Sequence, residues 1–500
     1  MTAKSESNQT VLVLLLGFAH MLMYIGYDTG NFVAESALHS VHQRDPSRII
    51  SHAGYYGQAI SNICYMFGNL AAPLSAYLVR PTRLMAFAAA VIALYSASFL
   101  IVRTELFFAS CIAQGLMLAM FNAGHSVYIT QISTREKLER NSSLEVAIIS
   151  FSTFFGGIIY FAITLMAKVK AEKDDPIQYI DYSDLQISLL FGVFACAGLL
   201  AVLVFAVLPD NPLKDCIASS VSSTVTSKNA PGKNTSFPSG DDGTSPCGRI
   251  ARQLRQTAAA FVHDRVLLLT PFFVFVGLSE AFWVSVFSTA LQFTRRLSAS
   301  SPNLTAYYAI AVCAGSLIAG ALIGPISRRV RDFGLCPLLT VVAGLQIVLS
   351  SLLILSLPPD ATSQPTWHSS LFIVPNIPLV LLIAASLGAL GVSSLTCRTV
   401  ICTLVLPEQR TQVFAVGRFY QALASCLLFF VTPHMSTYAC ISSITAICLV
   451  GAILFAKVAR QLSTASNSKG LTDKIAFVVD NDSVIATIDE KEAQKISVAA

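Results

Sequence analysis

Asp28 and Glu280 are the residues of this chain best fitted to carry a charge through an apolar interior. Asp28 stands in Gly26-Tyr-Asp28-Thr-Gly-Asn31, and Glu280 in Gly277-Leu-Ser-Glu280-Ala-Phe-Trp283, each inside a long apolar run. An ionised side chain in hydrocarbon costs roughly 2.5–3.5 kcal/mol even on lenient insertion scales, so both carboxyls must face protein or water. In that setting burial favours the protonated form, and a carboxyl that takes and releases a proton as its access alternates can couple proton flow to solute movement. The plainer alternative is a neutral carboxyl held by a neighbour such as Ser279 or Tyr27. Asn31, His125 and Trp283 are candidates for the lining of the same space. His20 and His125 fit either a polar relay or ordinary packing. Arg398 and Arg418 fall towards span ends, where snorkelling to the headgroups is expected. Glu145 and Arg418 are separated by the same interval as His125 and Arg398, as a duplicated pair of halves would have it.

The elements that must position these groups are membrane helices. Charged residues make up 12% of the 500-residue chain, against roughly 25% in soluble domains, and the mean hydropathy is +0.64. Apolar runs of spanning length fall near 11–33, 53–78, 84–102, 106–128, 144–165 and 187–208, then near 266–291, 305–326, 335–357, 378–401, 412–431 and 436–456. The expected fold is an all-α membrane protein of about twelve transmembrane helices in two six-helix halves. Residues 1–208 form the first bundle, 209–265 a cytoplasmic linker, 266–456 the second bundle, and 457–500 a disordered cytoplasmic tail. Asp28 and Glu280 then occupy corresponding helices, and a pseudo-two-fold axis brings both to a shared central cavity.

Lys and Arg favour the loops on the side of the N-terminus, which predicts both termini in the cytoplasm. The loop 167–186 runs against the trend with Lys168, Lys170 and Lys173, offset by Glu172, Asp174 and Asp175. Of the Asn-x-Ser/Thr triplets at Asn8, Asn141, Asn234, Asn303 and Asn481, this topology exposes only Asn303 to glycosylation. The linker is rich in Ser, Thr, Gly and Asn from 218 to 245 and predicts disorder. From Arg249 to Val262, Ile250, Leu254, Ala258, Phe261 and Val262 recur at helical spacing beside Arg249, Arg252 and Arg255. That pattern fits an amphipathic helix on the inner leaflet or a solvated basic linker equally well.

Several function classes lack their chemistry here. There is no Gly-x-x-x-x-Gly-Lys-Ser/Thr, no His-Glu-x-x-His and no Cys/His set at metal-ligand spacing, so no enzyme, cofactor, metal or catalytic residue is expected. No carbonyl-filter sequence indicates a pore. The net charge of +5 is spread over loops, which speaks against nucleic acid.

Six-plus-six spans with a long central connection resemble the major facilitator superfamily. Gly324-Pro-Ile-Ser-Arg328-Arg329-Val-Arg331-Asp332-Phe-Gly334 looks like a degenerate form of its glycine-and-basic loop. The counterpart Ala71 to Arg83 lacks the acid and the glycine. The resemblance makes Glu145, Arg328, Arg329 and Arg418 candidates for a cytoplasmic latch between the halves. A closer likeness is to the Unc-ninety-three-like branch. It is carried by Gly26-Tyr-Asp-Thr-Gly-Asn-Phe-Val-Ala-Glu35-Ser, Ala53-Gly-Tyr-Tyr-Gly-Gln-Ala59-Ile with Pro73, Glu139-Arg-Asn-Ser-Ser143, and Gly277 to Trp283 with Ser288-Thr289. That resemblance implies a multi-pass protein that regulates or escorts another membrane protein, an ion channel such as a potassium channel or a receptor. The intramembrane charges keep a secondary transporter of a small solute as the alternative. The bilayer is that of the plasma membrane or of an endolysosomal compartment.

Overall fold

The computed structural model describes residues 3–133, 138–165, 182–210, 255–301, 303–330, 333–374, 376–406 and 409–462. Most of the expected linker, and the tail beyond 462, lie outside them. Among these residues twelve long helices follow in chain order: α1 Ala3–Arg44, α2 Ala53–Leu78, α3 Pro81–Ser98, α4 Thr104–Gln131, α5 Leu138–Leu165, α6 Asp184–Val207, α7 Asp264–Phe293, α8 Leu304–Arg329, α9 Cys336–Ser356, α10 Ile377–Val405, α11 Arg410–Val431 and α12 Thr437–Leu462. Eleven of these are long and apolar enough to cross a membrane. The other, α2, spans 26 residues and carries Gln58, Ser61, Asn62 and Asn69. It packs against α4 and α11 and lines the space between the halves.

Within the first half α1 packs on α5 and α6, and α3 on α4 and α6; within the second, α8 packs on α10 and α7 on α11. The halves meet where α2 packs on α11 and α5 on α8, and where α1 meets α7. Large apolar side chains such as Phe87, Leu94, Leu203, Val207, Leu382 and Ile453 point outward. Lipid is the solvent that makes such a surface stable, since every helix already satisfies its own backbone.

Two helices have features that the apolar runs did not indicate. The helix expected to end at Val33 runs on to Arg44, 42 residues in all, or about 63 Å at 1.5 Å per residue. Nothing between Val33 and Arg44 breaks a helix, and Ala34, Ala37, Leu38 and Val41 keep an apolar stripe, each at most 1% exposed. The helix stops where Asp45 accepts from Ser47 N and Oγ, an Asx turn across Pro46. The seventh helix contains a five-residue π turn, Phe282–Val286. The hydroxyl of Tyr308 donates to the Trp283 carbonyl there, and the extra backbone width turns Trp283 towards the seam.

Hydrogen bonds between the halves gather on the face remote from the start of α1. Gln58 Nε2 donates to Ser285 Oγ (2.9 Å), Ser288 Oγ to Phe32 O (3.0 Å), Tyr55 Oη to Thr362 O (2.9 Å) and Tyr182 Oη to Gln292 Oε1 (2.8 Å). They close that face of the bundle. At the rim of the same face Arg44 and Arg48 each reach Asp184 at 2.7 Å, and the Asp184 side chain is 55% exposed. Exposed pairs of this kind contribute little. Asp184→Asn is therefore expected to lower unfolding free energy by less than about 1 kcal/mol, as measured by chemical unfolding in micelles.

Candidate functional site

A cavity of about 160 Å³ opens between the halves, lined from α1, α2, α4, α7 and α11. Asp28, Asn31, Glu280 and Trp283, all singled out in the sequence, lie on its wall. Asp28 accepts a hydrogen bond from Ser152 Oγ of α5 at 2.9 Å. Tyr24 and Tyr27, on the same face of α1, add two phenols beside it. Glu280 fronts the cavity from α7 and is surrounded by protein elsewhere; Gln421 Nε2 of α11 donates to its Oε2. Gln421 Oε1 accepts in turn from Arg398 Nη1 of α10. The charges of both Arg398 and Arg418 act on Glu280.

That arrangement corrects the expectation for Arg398. It does not snorkel to the headgroups but points inward, its Nε buried without a partner and its Nη1 on Gln421. The physical reason is the carboxylate: a guanidinium within reach of an intramembrane acid gains more by turning to it than by leaving for the surface.

His125 is not part of the lining. Its Nε2 lies 2.5 Å from Glu145 Oε1, and His20 Nδ1 lies 3.2 Å from the same oxygen. Glu145, expected at a latch between the halves, thus spends its bonds inside the first half, where it is 2% exposed. Residues in which the sequence showed no ligand spacing meet here from α1, α4 and α5 with their ligand atoms within 4.8 Å of one another. Arg329 is exposed at the end of α8, and the side chain of Arg328 lies outside the described ones. At that end of the first half the acid missing from the loop after α2 is supplied by Asp210, which accepts from Arg80 (3.2 Å) and from Thr82 Oγ1. Asn303 is half-buried at the residue before α8. Of the amphipathic segment, 255–261 is helical and Phe261 packs on Phe419 and Tyr420 of α11, ring centroids 5.1 and 5.8 Å apart. Residues 249–254 lie outside the described ones.

Sequence reasoning missed Gln421, Gln58 and Ser425 as members of the site. The available signal was a polar stripe at helical spacing, Arg418, Gln421 and Ser425, on an otherwise apolar α11. Glu35, two turns along α1 from Asp28, is fully buried at the closed face, accepting from Tyr55 N at 3.0 Å with His52 Nδ1 at 3.3 Å.

Two bundles of six helices around a polar central cavity define a multi-pass membrane protein of the major facilitator fold. The solved structures it resembles agree. They include a bacterial homologue of the human lysosomal transporter Spinster (TM-score 0.57, 10% identity, 93% of this chain and 99% of that one) and the xylose transporter XylE from E. coli (TM-score 0.58, 14% identity, 90% and 98%). A peptide transporter, POT, matches at TM-score 0.59 with 14% identity over 90% and 95%. Residues 45–456 match the family described as "Ion channel regulatory protein UNC-93", and the chain belongs to that family. Among its relatives are the UNC93-like proteins MFSD11 of Xenopus laevis, 23% identical over 86% of this chain and 91% of the relative, and of Xenopus tropicalis, 22% identical over the same shares.

Proposed function

We propose that this protein moves a small polar solute across a membrane by alternating access, with Asp28 and Glu280 as the proton-exchanging groups. The observation that supports it best is that both carboxyls, from corresponding helices of the two halves, front one cavity rather than separate packed interfaces. Tyr24, Tyr27, Asn31, Gln58, Asn62, Tyr65 and Asn122 surround them with hydrogen-bonding groups, which suits a hydroxylated or cationic solute. The closed face beyond Tyr55 and Gln58 acts as one gate, and opening it requires exchanging the hydrogen bonds that link α1 and α2 to α7. The two halves are residues 1–208 and 266–456, with both termini and the linker 209–265 on the cytosolic side.

The family favours a second reading, in which the same scaffold regulates or escorts another membrane protein such as a potassium channel. There the cavity is an inherited feature and the outer helix faces carry the contact. One set of measurements separates the two. Purified protein in proteoliposomes is screened for pH-gradient-driven uptake of small hydroxylated and cationic solutes. Any solute found should lose uptake by about tenfold or more with Glu280→Gln, the worth of a hydrogen bond to a charged group. Absence of uptake across the screen, together with a changed potassium current on co-expression, sinks the carrier reading and supports the regulatory one.

A further inference from the structure

The cluster of His20, His125 and Glu145 is not needed by the cavity chemistry, and it is built from three different helices. Two imidazole nitrogens converge on one carboxylate oxygen, at 2.5 and 3.2 Å. His20 is 6% exposed and Glu145 2%, while the side chain of His125 is 21% exposed and leaves a path to the site. Tyr24 and Phe121 pack edge-on against the His20 ring, ring centroids 4.7 and 4.8 Å away, so the surroundings are otherwise aromatic.

A buried carboxylate in such surroundings demands a positive partner. The groups acting on Glu145 are the two imidazoles, and neutral imidazoles leave its charge uncompensated. A cation must complete the cluster: either a proton shared with one ring or a metal ion. Two histidines and one carboxylate are also the donor set of open zinc sites, with water in the remaining position. The ligand atoms already lie within 4.8 Å of one another, and an ion about 2.0–2.2 Å from each would hold them roughly 3.4 Å apart, between the closest and the widest spacings present.

We infer that His20, His125 and Glu145 form a binding site for one divalent transition-metal ion, one helical turn from the cavity wall at Tyr24 and Asn122. Imidazole with carboxylate selects zinc, cobalt, nickel or copper over calcium and magnesium. The inference does not depend on transport, because the three ligands belong to one half of the molecule.

The test uses the full chain in nanodiscs, stripped of metal, titrated with zinc by calorimetry and with cobalt by visible absorption. About one equivalent is expected to bind, and binding should weaken as the pH is lowered, since protons and metal compete for the same ligand atoms. His125→Gln and His20→Gln should each weaken binding by at least about tenfold. The far-face histidines are controlled by His39→Gln with His42→Gln, which should leave it unchanged. Glu145→Gln is the sharpest variant, and if it does not fold His125→Gln carries the test, because that side chain is partly solvated. No binding to the wild-type chain overturns the inference. Equal binding by wild type, His20→Gln and His125→Gln does so too.

Discussion

Gly315→Leu is expected to abolish folded protein, with monodisperse material on size-exclusion chromatography falling below detection. Gly315 of α8 faces α10 so closely that even a β-carbon would fall inside the van der Waals radius of the Ala385 carbonyl oxygen. Gly388 of α10 faces back in the same way onto the Val312 carbonyl. The crossing is thus made by backbone against backbone, with a glycine contributed by each helix. This is how helices associate where lipid offers no hydrophobic drive. Overpacking in a compliant core costs about 1–3 kcal/mol. Here the obstructing atoms are main chain, which cannot choose another rotamer, so the helices must separate along their crossing. The first half repeats the device, with Gly115 of α4 against the Ser61 carbonyl of α2. A contrasting change, Gly320→Leu, should be tolerated, because nothing lies within 4 Å of the position a β-carbon would take. Full recovery of Gly315→Leu would mean that α8 and α10 are not in contact as described.

How much of this was legible beforehand follows from what each feature depends on. Span number and spacing are set by the bilayer, a solvent the sequence answers to locally, so apolar runs alone place twelve helices to within a few residues at most of their ends. The far end of α1 was missed because its stripe of Ala34, Ala37, Leu38 and Val41 is buried by protein rather than lipid, and Glu35, Ser36, His39 and Ser40 lower its hydropathy. Asp28 and Glu280 stood out because a charge in an apolar run is rare and its cost is local. The partners of those charges were not legible. Gln421 is an ordinary polar residue until Arg398 and Glu280 approach it from two other helices. The same holds for Glu145, a latch candidate by resemblance, until α1 and α4 bring two histidines to it. The shared interval between His125 and Arg398, and between Glu145 and Arg418, now has structural content: in each half the fourth and fifth helices carry a polar network into the interior, acid with imidazole in one, guanidinium with amide and acid in the other.

That second network carries the remaining large effect. Arg398→Ala should destabilise the protein by about 3 kcal/mol or more, the cost of leaving a buried ion without its counter-charge. The argument rests on Gln421. It accepts from Arg398 and donates to Glu280, so the two charges are joined through one amide whose orientation each of them fixes. Removing Arg398 leaves Glu280 with that amide and the charge of Arg418, and leaves the Gln421 oxygen without its donor. Removing Glu280 instead leaves a guanidinium whose Nε is already buried without a partner. Each single change therefore exposes the desolvation cost of the charge that remains. The double change Glu280→Ala with Arg398→Ala removes both, and should be less destabilising than the sum of the two singles by about 1–3 kcal/mol. Unfolding free energies in mixed micelles, taken around the full cycle, measure that coupling. Strict additivity would show that Gln421 does not transmit the interaction, and that Glu280 is held by the cavity and Arg418 alone.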